Sequence, residues 1–136
     1  MKTLLAAVFT FVALFAGACG GSSPAGVYDL DKERLRADLL AVKREGQPDP
    51  EAMEKQINAM SLTIDLAADG TAKMNSKIGG AGADSSATGR WNVDGKKLTL
   101  VIKDPGSGQE QTNIGDYADG AFTMEIGMLR LHFRRR

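Results

Sequence analysis

Leu62-Thr63-Ile64-Asp65-Leu66-Ala67-Ala68-Asp69-Gly70-Thr71-Ala72-Lys73-Met74-Asn75 is the stretch that decides the fold. Apolar residues occupy every second position on both sides of an Asp-Gly pair. Such alternation marks a strand with one buried and one wet face. Asp-Gly is a preferred dipeptide for a two-residue hairpin turn, because both turn positions take positive φ. Leu62, Ile64, Leu66, Ala72, Met74 and Ile78 are therefore expected inside, with Lys73, Asn75 and Lys77 outside.

The same rhythm continues toward the C-terminus. After a Gly/Ala/Ser loop, Gly89, Trp91 and Val93 alternate with Thr88, Arg90 and Asn92. Asp94-Gly95 turns the chain into Leu98, Leu100 and Ile102. The loop Asp104 to Gly108 leads to a more polar strand around Gln111 to Tyr117, and Asp119-Gly120 turns into Phe122, Met124 and Ile126. After Gly127, Leu129, Leu131 and Phe133 point inward and Arg130, His132 and Arg134 outward. An early strand, Gly26 to Leu30, brings the count to about eight. The fold class expected is mainly β, an antiparallel meander of about eight strands. Closure into a small barrel or near-barrel buries the single apolar face and removes exposed edges; a curled open sheet is the rival.

Between the first two strands the pattern changes to helical. Asp31 is placed to cap a helix, with Leu30 and Leu35 at the hydrophobic-staple positions. Leu35, Leu39 and Val42 form its apolar stripe. Gly46-Gln47-Pro48 stops it, and Asp49 caps a second helix with Pro50 at its first position. Met53, Ile57 and Met60 are its buried stripe. The expectation is a helical hairpin at about residues 31–60.

The 136 residues carry equal numbers of basic and acidic side chains, 17 of each, which gives no reason to expect nucleic acid as a partner. Residues 1–18 read as a secretory signal, with Lys2 as the positive region and Leu4 to Phe15 as the apolar run. Ala16-Gly17-Ala18-Cys19 resembles the lipobox of bacterial lipoproteins. That resemblance implies cleavage before Cys19 and acyl chains, such as palmitate, on the cysteine. Gly20 after it implies sorting to the outer membrane of a Gram-negative envelope. Residues 19–25 would then be the lipidated cysteine and a flexible tether, and residues 26–136 the folded domain. Cys19 is the sole cysteine, so no intramolecular disulfide is possible.

The meander and its motifs also resemble the calycin superfamily, lipocalins and fatty-acid-binding proteins, and small lipocalin-like bacterial lipoproteins. The residues that carry this are Gly26-Val27-Tyr28, Asp69-Gly70-Thr71 and Gly89-Arg90-Trp91. In fatty-acid-binding proteins a helix pair between the first two strands lids the barrel mouth. The resemblance implies a barrel around a small apolar ligand.

Catalytic chemistry has no visible constellation. Gly79-Gly80-Ala81-Gly82-Ala83-Asp84 runs into a strand, not a helix, and reads as an inter-strand loop. His132, the single histidine, reads as exposed and incidental on an outer face. Asp69 and Asp94 are explained by turns. Arg134-Arg135-Arg136 reads as a solvated tail, or as a cluster touching anionic headgroups. No metal site, cofactor or enzyme activity is expected. The residues expected to line a ligand cavity or the core are Leu62, Ile64, Met74, Trp91, Leu100, Phe122, Met124 and Leu131. The function expected is a lipid-anchored envelope lipoprotein that binds or senses a small apolar ligand. The alternative is a solid-cored module that meets another envelope protein.

Overall fold

The computed structural model describes residues 23–42, 45–46, 49–77, 84–126 and 128–136. Within them the chain runs β1 (Gly26–Leu30), α1 (Lys32–Ala41), α2 (Pro50–Ala59), β2 (Ser61–Leu66), β3 (Thr71–Lys77), β4 (Ser85–Asp94), β5 (Lys97–Lys103), β6 (Glu110–Ala118), β7 (Ala121–Ile126) and β8 (Leu129–Arg135). Each strand pairs antiparallel with the next, and β8 returns to β1 to close an eight-stranded barrel. The closing seam is short: Tyr28, Asp29 and Leu30 face Arg135, Arg134 and Phe133.

Antiparallel order gives the barrel two different ends. One end, the mouth, carries the two helices, the Asp104–Gln109 loop and the β7–β8 turn. The other, the base, carries the β2–β3, β4–β5 and β6–β7 turns, the segment entering β1 and the residues leaving β8.

The period-two reading of the strands is realised in the interior. Tyr28, Ile64, Leu66, Leu98, Leu100, Phe122, Met124 and Phe133 are almost fully buried. Each such aliphatic or aromatic side chain contributes about 1.5–3 kcal/mol on leaving water. The Tyr28 ring meets Phe122 edge-on at 4.9 Å, and Phe122 stacks on Phe133 at 4.7 Å. Ile126 and Leu129, expected inside, are instead half exposed (43% and 45%), because they flank the β7–β8 turn where the strands leave the wall.

Two inward glycines shape the wall. A Cβ on Gly89 would stand 1.8 Å from the carbonyl oxygen of Val101, and one on Gly115 2.3 Å from that of Thr123. No side chain fits at either place, so the sheet coils tightly there. Bending, rather than spare volume, accounts for glycine at position 89.

The three Asp-Gly pairs make three different turns. Asp119 and Gly120 both have positive φ (47° and 76°) between the paired Ala118 and Ala121, the two-residue turn expected. Asp94 pairs with Lys97, so the second loop is Gly95-Lys96 with positive φ at Gly95 alone. At the first, the Ala67 amide donates to Thr71 and only Gly70 is left-handed, a three-residue connection closed by the Asp69 carboxylate.

Both helix caps form. The Asp31 carboxylate accepts from the Arg34 amide at 3.1 Å, and the Asp49 carboxylate from the Glu51 amide with Pro50 beside it. In α1, Leu35 is buried and Leu39 half buried, but Val42 is 44% exposed because the helix has already ended at Ala41. In α2, Ile57 is buried between half-buried Met53 and Met60. β1 stops at Leu30, so Leu129 to His132 of β8 have no β1 partner, and α1 packs along this stretch. The Asp31 amide donates to the His132 carbonyl at 2.7 Å, and Leu35 inserts into the barrel core.

Candidate functional site

Leu62, Ile64, Met74, Trp91, Leu100, Phe122, Met124 and Leu131 all belong to one contiguous apolar cluster inside the barrel. Ile64, Leu100, Phe122 and Met124 are at most 2% exposed, whereas Leu62, Met74 and Trp91 are partly buried against them. Trp91 is held on its polar side, its indole N–H donating to the Ala67 carbonyl at 2.9 Å. Its backbone amide donates to the Gly70 carbonyl at 2.9 Å. Thus the Gly89-Arg90-Trp91 and Asp69-Gly70-Thr71 motifs meet at the base.

A cleft of about 650 Å³ opens at the mouth between α1 and the β7–β8 turn. Leu35, Leu39 and Val42 form one wall, and Met128 and Leu129 the other. Asp38, Glu125 and Arg130 edge it, with Arg130 donating to Glu125 at 2.9 Å. Of the six large apolar side chains exposed among the described residues, five cluster here: Leu40 of α1, its C-cap Val42, and Ile126, Met128 and Leu129 at the β7–β8 connection; Met128 is 89% exposed. Small-molecule sites have volumes of roughly 300–1,000 Å³ and mostly apolar walls.

His132 sits beneath this cleft, and its exposure was misjudged by the sequence reading. Its side chain is only 16% exposed. Nδ1 lies 3.1 Å from the Thr123 hydroxyl, and Nε2 2.8 Å from Asp38 of α1. With Nε2–H donating to the carboxylate, a neutral ring accepts the hydroxyl proton at Nδ1. Hydroxyl and carboxylate on either side fix the orientation of the imidazole between them. Together the three side chains fasten α1 to the barrel wall.

The C-terminal arginines are tied into the fold, against the solvated-tail expectation. Arg134 donates to Asp31 at 2.6 Å, and Arg136 makes two 3.0 Å bonds to Asp29. Arg136 and Thr63 hold the Asp29 carboxyl below the ordinary range. For Asp31, burial pushes the carboxyl up, but the Arg34 amide and Arg134 outweigh it and leave it below that range. Arg135 continues the inward series of Leu131 and Phe133. Its guanidinium lies 5.5 Å from the centre of the Tyr28 ring and donates to the Tyr28 hydroxyl at 3.1 Å. Burial raises the Tyr28 hydroxyl above the ordinary phenol range, against the pull of Arg135 and with Tyr117 adding to the rise. A Cβ on Gly26 would meet Arg135 Nε at 3.0 Å, so Gly26-Val27-Tyr28 supplies both the room and the ring for this arginine.

Cys19 and residues 79–83 of the glycine-rich loop lie outside the described residues. Among the described residues, no group of three or more His, Cys, Asp and Glu side chains is placed to hold a metal ion.

By strand order this is a closed up-and-down barrel of eight antiparallel strands, with a helix pair at its mouth. Solved structures similar to the chain include the crystal structure of the wild-type fluorescent protein UnaG. It is 19% identical, with 82% of this chain and 96% of that chain covered and a TM-score of 0.38. Two point mutants of UnaG align at 17% and 18% identity, with TM-scores of 0.36 and 0.35; both cover 82% of this chain, and 95% and 94% of their own. No protein-family model matches the chain, and no curated protein does.

Proposed function

We propose that the chain is a non-enzymatic lipoprotein of the bacterial envelope, anchored in the outer membrane through acylated Cys19, whose barrel takes up a small apolar ligand at its mouth. The observation that carries the binding half is the cleft of about 650 Å³ between α1 and the β7–β8 turn. The anchoring half rests on Ala16-Gly17-Ala18-Cys19 after an apolar run. The aromatic cluster of Tyr28, Phe122 and Phe133 fills part of the interior; this supports a ligand position against the helix rather than among the strands.

Native mass spectrometry on residues 20–136, gently purified from the host, tests the binding half. A co-purifying lipid-sized mass at one-to-one stoichiometry supports it. Val42→Asp, on the helical wall of the cleft and 44% exposed, should then abolish uptake of a fluorescent fatty acid while the melting temperature stays near that of the parent. A clean apo mass with no uptake afterwards refutes it.

The same packed interior supports a second reading, an interaction module that offers the exposed apolar side chains of α1 and the β7–β8 turn to another envelope protein. Absence of ligand uptake, with loss of a cross-linked protein partner in Met128→Asp, favours that reading.

A further inference from the structure

We propose that the barrel stands base-down on the bilayer, its turns against the lipid headgroups and its apolar cleft facing away from the membrane. The proposal deepens the lipoprotein reading and rests on it, since Cys19 must carry the anchor.

Three consecutive peptide groups just ahead of β1 are held by side chains of the barrel. Arg135 donates to the carbonyls of Ser23 and Ala25, the latter at 3.1 Å, and the Tyr28 hydroxyl donates to the Pro24 carbonyl at 2.6 Å. All three bonds lie at the base, where Arg135 leaves β8. Cys19 stands four positions before Ser23. An extended chain covers at most about 3.3–3.6 Å per residue, so Cys19 lies within about 14 Å of Ser23.

A segment of seven residues from Cys19 to Ala25, if free, would let the domain tumble on its anchor. Clamping Ser23 to Ala25 leaves only three residues of sequence, Gly20, Gly21 and Ser22, between Cys19 and the clamp, and fixes the side from which the tether departs. The cleft opens at the far end of β8, seven residues away (Leu129–Arg135), or roughly 20 Å along a strand at about 3.3 Å per residue. Asp69, Asp94 and Asp119 share the base with exposed Lys96 and Arg136, and none of the described residues in the base turns is an exposed large apolar side chain. The base therefore rests on the headgroup layer without entering it. A ligand in the cleft then exchanges with the aqueous side or a soluble carrier, not directly with the bilayer beneath.

The test uses the full lipoprotein, extracted from a bacterial envelope and reconstituted into phosphatidylcholine vesicles that contain a nitroxide-headgroup lipid. Acylation blocks the only native thiol, so Lys96→Cys at the base and Met128→Cys at the mouth each accept one fluorophore. Quenching should be several-fold stronger at position 96 than at position 128. Inserting a flexible Gly-Ser segment of about ten residues after Ser22, which leaves the barrel untouched, should make the two positions alike. Equal quenching in the parent tether, or stronger quenching at position 128, overturns the orientation alone. A protein with no acyl mass on Cys19 that fails to float with the vesicles overturns the anchor, and the orientation with it.

Discussion

Nε2 of His132 lies 2.8 Å from Oδ2 of Asp38, which joins the outer face of β8 to α1 across 94 positions of sequence. The contact couples the helix that walls the cleft to the strand that closes the barrel. His132→Ala, Asp38→Ala and the double variant should show a coupling energy of about 0.5–1.5 kcal/mol in a double-mutant cycle. Amide hydrogen exchange along residues 35–41 should quicken in each single variant. Strictly additive effects would mean that the two side chains do not hold the helix.

Among the described glycines, Gly89 is the one least able to accept a side chain. Gly89→Ala should destabilise by about 3 kcal/mol, at the upper end of overpacking costs, because the added methyl would meet the Val101 carbonyl oxygen. Gly106→Ala is the control. Its Cβ would come no nearer than 3.4 Å to Asp104, and its stability should stay within about 0.5 kcal/mol of the parent, as for ordinary surface changes. Urea denaturation of the pair measures both, and equal midpoints would refute the close approach.

Phe122 and Trp91 should separate by burial. Phe122→Ala removes a ring packed between Tyr28 and Phe133 and should cost about 3–5 kcal/mol. Trp91→Ala should cost less, about 2 kcal/mol, since that side chain is only partly buried. Thermal denaturation ranks the two, and a larger loss at Trp91 would put the centre of the core nearer the base turns.

Acid should weaken the seam between β1 and β8. The Asp29 and Asp31 carboxyls both titrate below the ordinary carboxylate range when folded. A carboxyl with a depressed folded pKa contributes its full stability above its unfolded value, about 3.9. That contribution is lost as pH falls through the folded value. The melting temperature should therefore drop more steeply below about pH 4 in the parent than in a variant carrying both Asp29→Asn and Asp31→Asn. Parallel pH profiles would show that Arg136 and Arg134 do not stabilise these carboxylates.

Strand number, the facing of nearly every strand residue and both helix caps were legible in the chain, because a period of two and a capping carboxylate are local signals. Which turn residues carry positive φ was less so: Asp94 stays in the strand, a one-residue difference that pairing with Lys97 decides. The alternation that sends Leu131 and Phe133 inward also sends Arg135 inward, but a run of three arginines has the look of a tail, and its carbonyl partners lie 110 and 112 residues away. His132 met the same difficulty, since nothing local points to a carboxylate on a distant helix. The mouth cleft was half legible. The stripe of Leu35 and Leu39 was visible, but the opposing wall depends on where β7 and β8 leave the barrel.

The order of the strands also sets when the molecule can be finished. β1, the first strand synthesised, has β8, the last of the eight, as one of its two neighbours, and the arginines that fasten the two follow Phe133. Until β8 has emerged, the other strands form at best a curled sheet with both edges bare and the aromatic stack lacking Phe133. Closure pairs the two ends of the domain, the kind of long-range contact that slows folding. A chain synthesised N-terminus first therefore leaves β1 waiting for its partner until the whole domain has been made. In that interval the unpaired first strand is open to capture by a chaperone.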